Sequence, residues 1–151
     1  MDKLPAGTRG ATAAPGFLAR AIVPVLVRIH HLTGNKMQGM ELLYLTTVGA
    51  RSGQHRTAPL AHFDSGQGGW LVVASAGGTA THPGWYHNIV ANADQVWAEV
   101  DGKRHHVSVE QLAGEEREQA WQAIVGRAPR FDGYQTKTDR QLPVLRLTPL
   151  D

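Results

Sequence analysis

The dipeptide Asp101-Gly102, set between the short runs 95–100 and 103–109, constrains the fold more than any other feature of this chain. Asp-Gly flanked by strand-like runs is the strongest short hairpin signal, because both residues accept positive φ and a two-residue turn joins only antiparallel neighbours. The same punctuation recurs upstream. Asp64-Ser-Gly-Gln-Gly-Gly69 links run 57–63 to run 70–75, and Val48-Gly-Ala-Arg-Ser-Gly-Gln-His-Arg56 links run 42–47 to run 57–63. With a last run over 143–148 this makes six strands, and consecutive strands lack the crossover helices that a doubly wound parallel sheet requires. The expected class is therefore mainly β with helices (α+β): a six-stranded antiparallel sheet closed into a small barrel, closure removing the exposed edges.

Helices cover this sheet. A segment over 17–32, restarted at Pro24 and ended by Thr33-Gly-Asn-Lys36, is followed later by helices over 83–91 and 114–126 and by a turn or two over 131–139. In 114–126, Glu115 and Glu116 complement the N-terminus and Arg127 the C-terminus, while Ala120, Trp121, Ile124 and Val125 share an apolar face. Residues 1–15 mix Gly, Ala, Pro and Thr without period and read as a loose lead-in. The expected organisation is a lead-in and helix over 1–40 and a barrel domain over 41–151.

Composition excludes several functions. The 151 residues suit one core, and a net charge of +2 with scattered Lys and Arg makes no electrostatic case for nucleic acid. With no cysteine, disulfides, thiolate catalysis and thiolate zinc sites are out; a reducing cytoplasm is compatible. The apolar part of 17–29 is bracketed by Arg20 and Arg28 and falls short of the ~20 residues that span a bilayer, and it lacks a signal-peptide cleavage site. It suits a helix packed over the barrel, and also one lying on the inner face of a membrane.

The stretch 71–88 is the first place to look for function. An apolar run breaks at Gly77-Gly78 and restarts at Pro83, so a glycine loop and a helix start would aim backbone N–H groups at an acidic ligand beside Trp85 and Tyr86. The plainer reading is a tight connection with two core aromatics. Arg51, Ser52 and Arg56, between Gly49 and Gly53, make either an anion clamp or a solvated hairpin turn. The two loops together would grip one elongated acidic ligand.

Reactive groups of the protein's own are hard to find. The eight histidines show no metal-ligand spacing; His105 and His106, adjacent on a strand, point to opposite faces, and His82 and His87 flank a short helix. No metal is expected. Ser52 and Ser75 lie outside a nucleophile elbow, and Glu115, Glu116 and Glu118 sit on an exposed helix face. That absence fits a chain that borrows its chemistry from a bound cofactor. Tyr134, in an aromatic and basic segment with Lys137, either donates a hydrogen bond to a substrate or seals the barrel.

Four linked motifs carry a family resemblance: Thr46-Thr-Val-Gly-Ala-Arg-Ser-Gly-Gln-His-Arg56, Val73-Ala-Ser-Ala-Gly-Gly78, His82-Pro-Gly-Trp-Tyr-His-Asn88 and Tyr134-Gln-Thr-Lys-Thr-Asp-Arg-Gln-Leu-Pro143. From about Glu41 onward the chain resembles the deazaflavin-dependent nitroreductases of actinobacteria. The resemblance implies a split β-barrel related to FMN-binding proteins, and coenzyme F420, an 8-hydroxy-5-deazaflavin with a phospholactyl-oligoglutamate tail. It implies hydride transfer to a quinone or nitroaromatic acceptor. Carried over by position, it places Ala50, Arg51, Ser52 and Arg56 on the phosphate and glutamyl tail, and Thr57, Ala58, Pro59, Leu60 and Ala61 beside the ribityl chain and ring. Val73, Ala74, Ser75 and Ala76 would line the deazaflavin, and Trp85, Tyr86, His87 and Asn88 would close over tail and ring edge. Tyr134 would face the substrate, with Ser75 as a second donor to the acceptor. Arg51 stands where the family often has lysine, and Ala76 where it often has a polar residue. The alternatives are an FMN-binding split-barrel oxidoreductase, whose phosphate suits the same clamp, and a carrier of deazaflavin, fatty acid or haem without catalysis.

Overall fold

The structure, a computed structural model, describes residues 1–12, 36–37 and 40–150. The expected helix over 17–32 and most of its stop signal lie outside the described residues. The chain forms β1 (Lys36–Met37), β2 (Met40–Val48), β3 (His55–Ala61), β4 (Phe63–Asp64), β5 (Trp70–Val73), a 3-10 turn (Ala76–Gly78), α1 (Gly84–Ala91), β6 (Val96–Val100), β7 (Lys103–Gln111), α2 (Gly114–Arg127), α3 (Arg130–Lys137) and β8 (Val144–Pro149).

The strands build one curled, wholly antiparallel sheet in the order β1-β2-β6-β7-β8-β5-β4, with β3 also paired to β2. The expectation of six strands is corrected to eight among the described residues. One addition is the two-residue β1, and the other comes from a break in the run 57–63. Residues 55–61 pair with β2; at His62 the chain turns, and Phe63 and Asp64 pair instead with Leu71 and Trp70 of β5. One continuous stretch thus switches from one end of the sheet to the other, which is how a bend makes a corner. Pro59 is tolerated inside β3 because that strand pairs on one side only.

The Asp101-Gly102 hairpin is as the sequence requires: φ is 51° and 79°, positive at both turn positions. Side-chain alternation divides the interior in two. Leu43, Leu45, Val72, Ala74, Val96, Ala98, Val107, Leu145 and Leu147 fill the curl, and α1 plugs it with Tyr86 and Ile89. The opposite faces of β5 and β8, Leu71, Val73 and Val144, pack beneath α2 and α3 with Trp121, Ile124 and Phe131. β5 and β8 are therefore apolar on both faces, which is why their sequences read as continuous runs.

Residues 2–11 are not a loose lead-in. They run as a strap along the 78–82 loop: Gly7 N–H donates to Ala80 O at 2.7 Å and Ala11 N–H to Gly78 O at 2.9 Å, and Ala11 bridges Thr79. Their order comes from long-range partners that composition cannot register. Among the described residues, no helix is long and apolar enough to cross a membrane.

Candidate functional site

The turn between β2 and β3 is built by glycine. Gly49 N–H donates to Gln54 O (2.8 Å) and Gly53 N–H to Gly49 O (2.9 Å), with Gly53 at φ 67°. A Cβ at Gly49 would lie 2.4 Å from Ser52 Oγ, which itself accepts from Gln54 N–H at 3.2 Å. This leaves Arg51, Ser52 and Arg56 exposed at the tip of the hairpin. Asn88 of α1 fastens the turn from the other side. Its Nδ2 donates to Thr47 Oγ1 (3.1 Å) and its Oδ1 accepts from Ala50 N–H (3.0 Å), so the amide is spent on placing the turn.

Between the turn and α1 lies a cavity of about 650 Å³ lined by Gly49, Ala50, Arg51, Ser52, Arg56, Gly84, His87, Asn88, Val90, Ala91 and, from the N-terminal strap, Lys3. Three of these are permanent cations and none is a carboxylate. The ion pairs of the described residues join other groups, His62–Glu41, Arg117–Glu118, Arg146–Glu110 and Arg146–Glu116, and leave these cations to solvent or a ligand. The N-terminal end of α1 opens on the same space; its cap, Pro83, makes no side-chain hydrogen bond, and a Cβ at Gly84 would meet nothing within 4 Å. Unpaired N–H groups at a helix start and guanidinium forks both favour an anion. His87 is held neutral: burial, then the cations of Lys3 and Arg51, push its pKa below the usual value.

The two glycine loops do not line one common cavity. Arg51 and Arg56 share their cavity with residues along α1, Gly84 to Ala91, and the Gly77 turn does not line it. The reason lies in what Gly78 does. At φ 83°, a Cβ there would sit 2.4 Å from the Tyr134 carbonyl oxygen, so this glycine serves the close packing of the turn on α3. Gly77, at φ 64° with nothing near its Cβ position, remains open.

A residue the sequence reading missed holds that turn. Arg140 is 2% exposed, and its guanidinium donates to Thr79 O (2.7 Å), Ala74 O (3.0 Å), Ser75 O (2.7 Å) and His82 Nδ1 (3.0 Å). Burial lowers its pKa from the usual arginine value. Because His82 Nδ1 must accept from Arg140, Nε2 carries the proton and donates to Leu4 O (2.9 Å) and Pro5 O (3.2 Å). Burial first, and Arg140 among the lesser causes, keep this imidazole neutral. No local signal marks Arg140; its position three residues before Pro143, in the fourth motif, was the one available hint.

The remaining expected site residues divide by face. Val73 and Ala74 are buried in the two cores, so only Ser75 and Ala76 are partly exposed at the turn. Ala76 has φ 45°, and with Gly77 and Gly78 it makes three successive left-handed residues. Tyr86 is fully buried, its hydroxyl accepting from Leu4 N–H and donating to Gln111 Oε1, which removes it from any cavity wall. Trp85 packs partly against the same core, whereas His87 and Asn88, on another face of the short helix, border the cavity. Thr57 is exposed, its hydroxyl 2.9 Å from that of Thr46, and Ala58, Pro59, Leu60 and Ala61 are half-buried along β3. Tyr134 is half-buried on α3, edge-on to Phe131 at 5.4 Å, with the Lys137 ammonium 5.8 Å from its ring centre. Among the described residues no cluster of His, Asp or Glu could hold a metal ion.

Comparison with known proteins adds a family. Residues 18–149 match the model of the F420H(2)-dependent quinone reductase family. An F420H(2)-dependent quinone reductase of Mycobacterium tuberculosis (strain ATCC 25618 / H37Rv) is 39% identical over 144 residues, which cover 87% of this chain and 95% of that protein. The solved structure of an F420-H2 dependent reductase superposes with a TM-score of 0.63 at 39% identity, covering 70% of this chain and 92% of that one. A second structure, described as a domain-swapped dimer, gives 0.63 at 34% identity over 82% of this chain and 96% of its own.

Proposed function

The chain belongs to the F420H(2)-dependent quinone reductase family, and on that premise we propose that the cavity beside Arg51 and Arg56 grips the acidic tail of coenzyme F420 while the 75–76 turn and β3 flank its ring. The protein is an F420H2-dependent oxidoreductase; of the acceptor classes expected, a quinone is the one named by the family. We infer that the curled sheet is the split β-barrel of these enzymes, β3 and β5 approaching without pairing at the split.

One observation carries the reading: a cavity of about 650 Å³, within the size of small-ligand sites, whose charged lining is wholly cationic. Phosphate and carboxylates match that donor set. Bound reduced deazaflavin supplies hydride to an electron-poor acceptor. The protein's part is positional. Asn88 fixes the arginine turn on α1, and Arg140 fixes the carbonyls of Ala74, Ser75 and Thr79, so tail and ring would be held from separate anchors. Orientation of this kind removes roughly 7–11 kcal/mol from a bimolecular barrier. Ser75 and Tyr134, on elements that pack together, are the donors assigned to developing charge on the acceptor oxygens.

The test is a fluorescence titration of the wild type and of the Arg51→Ala, Arg56→Ala double variant with F420, FMN serving as control. At these exposed guanidiniums each lost charge-assisted contact is worth about 1.5 kcal/mol, so the double variant should bind on the order of a hundredfold more weakly. Unchanged affinity, or a preference for FMN, would refute the assignment. Oxidation of the reduced cofactor across a quinone panel then separates an enzyme from a carrier.

A further inference from the structure

We propose that Lys3, delivered by the N-terminal strap, is a binding residue of the anion cavity and sets its preference for long chains of carboxylates. The inference rests on the reading of that cavity as an anion site.

Lys3 borders the cavity from an element with no covalent tie to the arginine turn nearby, and its backbone is pinned on both sides. Asp2 O accepts from Gln111 Nε2 at 2.8 Å, Leu4 N–H donates to Tyr86 Oη at 2.9 Å, and Leu4 O accepts from His82 Nε2 at 2.9 Å. Further along, Asp139 takes Thr8 N–H at 2.7 Å, the Thr8 hydroxyl, and Arg9 N–H at 3.2 Å. These bonds, the Thr8 hydroxyl foremost, hold the Asp139 carboxyl down to about 2. A terminal segment is ordinarily loose unless tied down. Here the bonds at Asp2 and Leu4 hold one exposed cation at the edge of a cavity that already has two.

Distribution of charge over two elements has a chemical meaning. One phosphate is satisfied by a guanidinium fork and the helix start. A third cation from a separate segment extends the positive wall, and is useful only to a ligand with several anionic groups in a row. His87 lies within the influence of both Lys3 and Arg51, which places the two cations around one space. Oligoglutamate is the ligand chemistry that fits. Sensitivity to Lys3 should therefore grow with the number of carboxylates.

The experiment titrates the full chain with F420 species bearing one and six glutamates, in wild type, Lys3→Gln and Lys3→Glu, and measures displacement by free hexaglutamate. An exposed charge contact is modest, so Lys3→Gln should weaken the six-glutamate form about three- to fivefold and the one-glutamate form less than twofold, with Lys3→Glu weakening the long form more. Thr8→Ala with Asp139→Asn, which frees the strap and keeps Lys3, should lose part of the same discrimination. A wild-type ratio between the two forms in both Lys3 variants overturns the inference. If Arg51→Ala, Arg56→Ala still weakens binding in that case, the cavity reading stands alone; if it does not, both fall.

Discussion

Replacing Arg140 by methionine or lysine tests the central structural argument. The guanidinium donates to three backbone carbonyls and to His82 Nδ1, none of them a carboxylate, from a position 2% exposed. Hydrogen bonds from a charged donor contribute about 1.5–3 kcal/mol each, and a buried acceptor left unmatched costs about 1–3 kcal/mol. Ser75 lies at a half-exposed turn where water can replace the lost donor, so the four bonds do not sum. Desolvating the cation also offsets part of their gain. A net loss of about 3–5 kcal/mol for Arg140→Met follows, a fall in Tm of roughly 6–20 °C for a chain of this length. Lysine keeps the charge, but one ammonium cannot reach acceptors spread from Ala74 to His82, so Arg140→Lys should fall between. Thermal and urea denaturation followed by circular dichroism measure both. If Arg140→Lys melts within about 2 °C of wild type, the four-way geometry is not what holds the turn and the reasoning fails.

Three further outcomes are expected. Gly78→Ala should cost about 2–4 kcal/mol, since it combines left-handed φ with a backbone oxygen 2.4 Å away, whereas Gly77→Ala should cost about 1 kcal/mol; equal losses in urea denaturation would contradict the packing role of Gly78. Burial, the leading cause at each, depresses the pKa of His62, His82 and His87, so the unfolded chain binds protons that the fold refuses. Their contribution is whole above about pH 6.5 and is lost as pH falls from there through the depressed folded values; urea midpoints at pH 7.5 and pH 5.5 check the sign, and His82→Asn should flatten the dependence. Tyr134→Phe should lower kcat on the order of a hundredfold while F420 affinity stays within a few-fold; a wild-type kcat removes Tyr134 from the reaction.

What was legible in the sequence was local. Asp101-Gly102 dictated its hairpin because two positive φ values are a property of those two residues. The helix over 114–126 announced itself by charge and period and is found at Gly114–Arg127. The arginine turn was visible for the same reason, since Gly49 and Gly53 act within six residues. Illegible were the features whose partners lie far along the chain. Arg140 bonds residues 58 to 66 positions away, and the strap's Thr8 meets Asp139 across 131 positions. Gly78 was seen as special and its reason misread: its positive φ is local, but the carbonyl that forbids a side chain belongs to α3. Tyr86 and Asn88 show the same limit on one helix turn. Their identities suit a ligand equally well, and only the packing of α1 turns one into the core and spends the other's amide on the arginine turn.

That division bears on how the site can vary. In the proposed site the acidic tail would be gripped by exposed cations on a short hairpin and on a strap, where substitution costs little stability and each charge adds a modest, screened increment. The 75–78 turn, which the same proposal sets beside the ring, is fixed by a buried cation, three left-handed residues and a glycine against a helix, where substitution costs several kcal/mol. On that proposal, affinity for the tail would drift by single charges while the ring's seat stays constant. The two halves meet at His82, which takes a hydrogen bond from Arg140 on one nitrogen and secures the strap through the other. A proton forced onto Nδ1 would face the guanidinium, so acid should loosen the strap, and Lys3 with it, before the sheet itself gives way. Amide hydrogen exchange decides the order: between pH 7 and pH 5.5 the protection of Leu4, Gly7 and Ala11 should fall while that of β6 and β7 holds, and a simultaneous loss would show that His82 does not act as the joint.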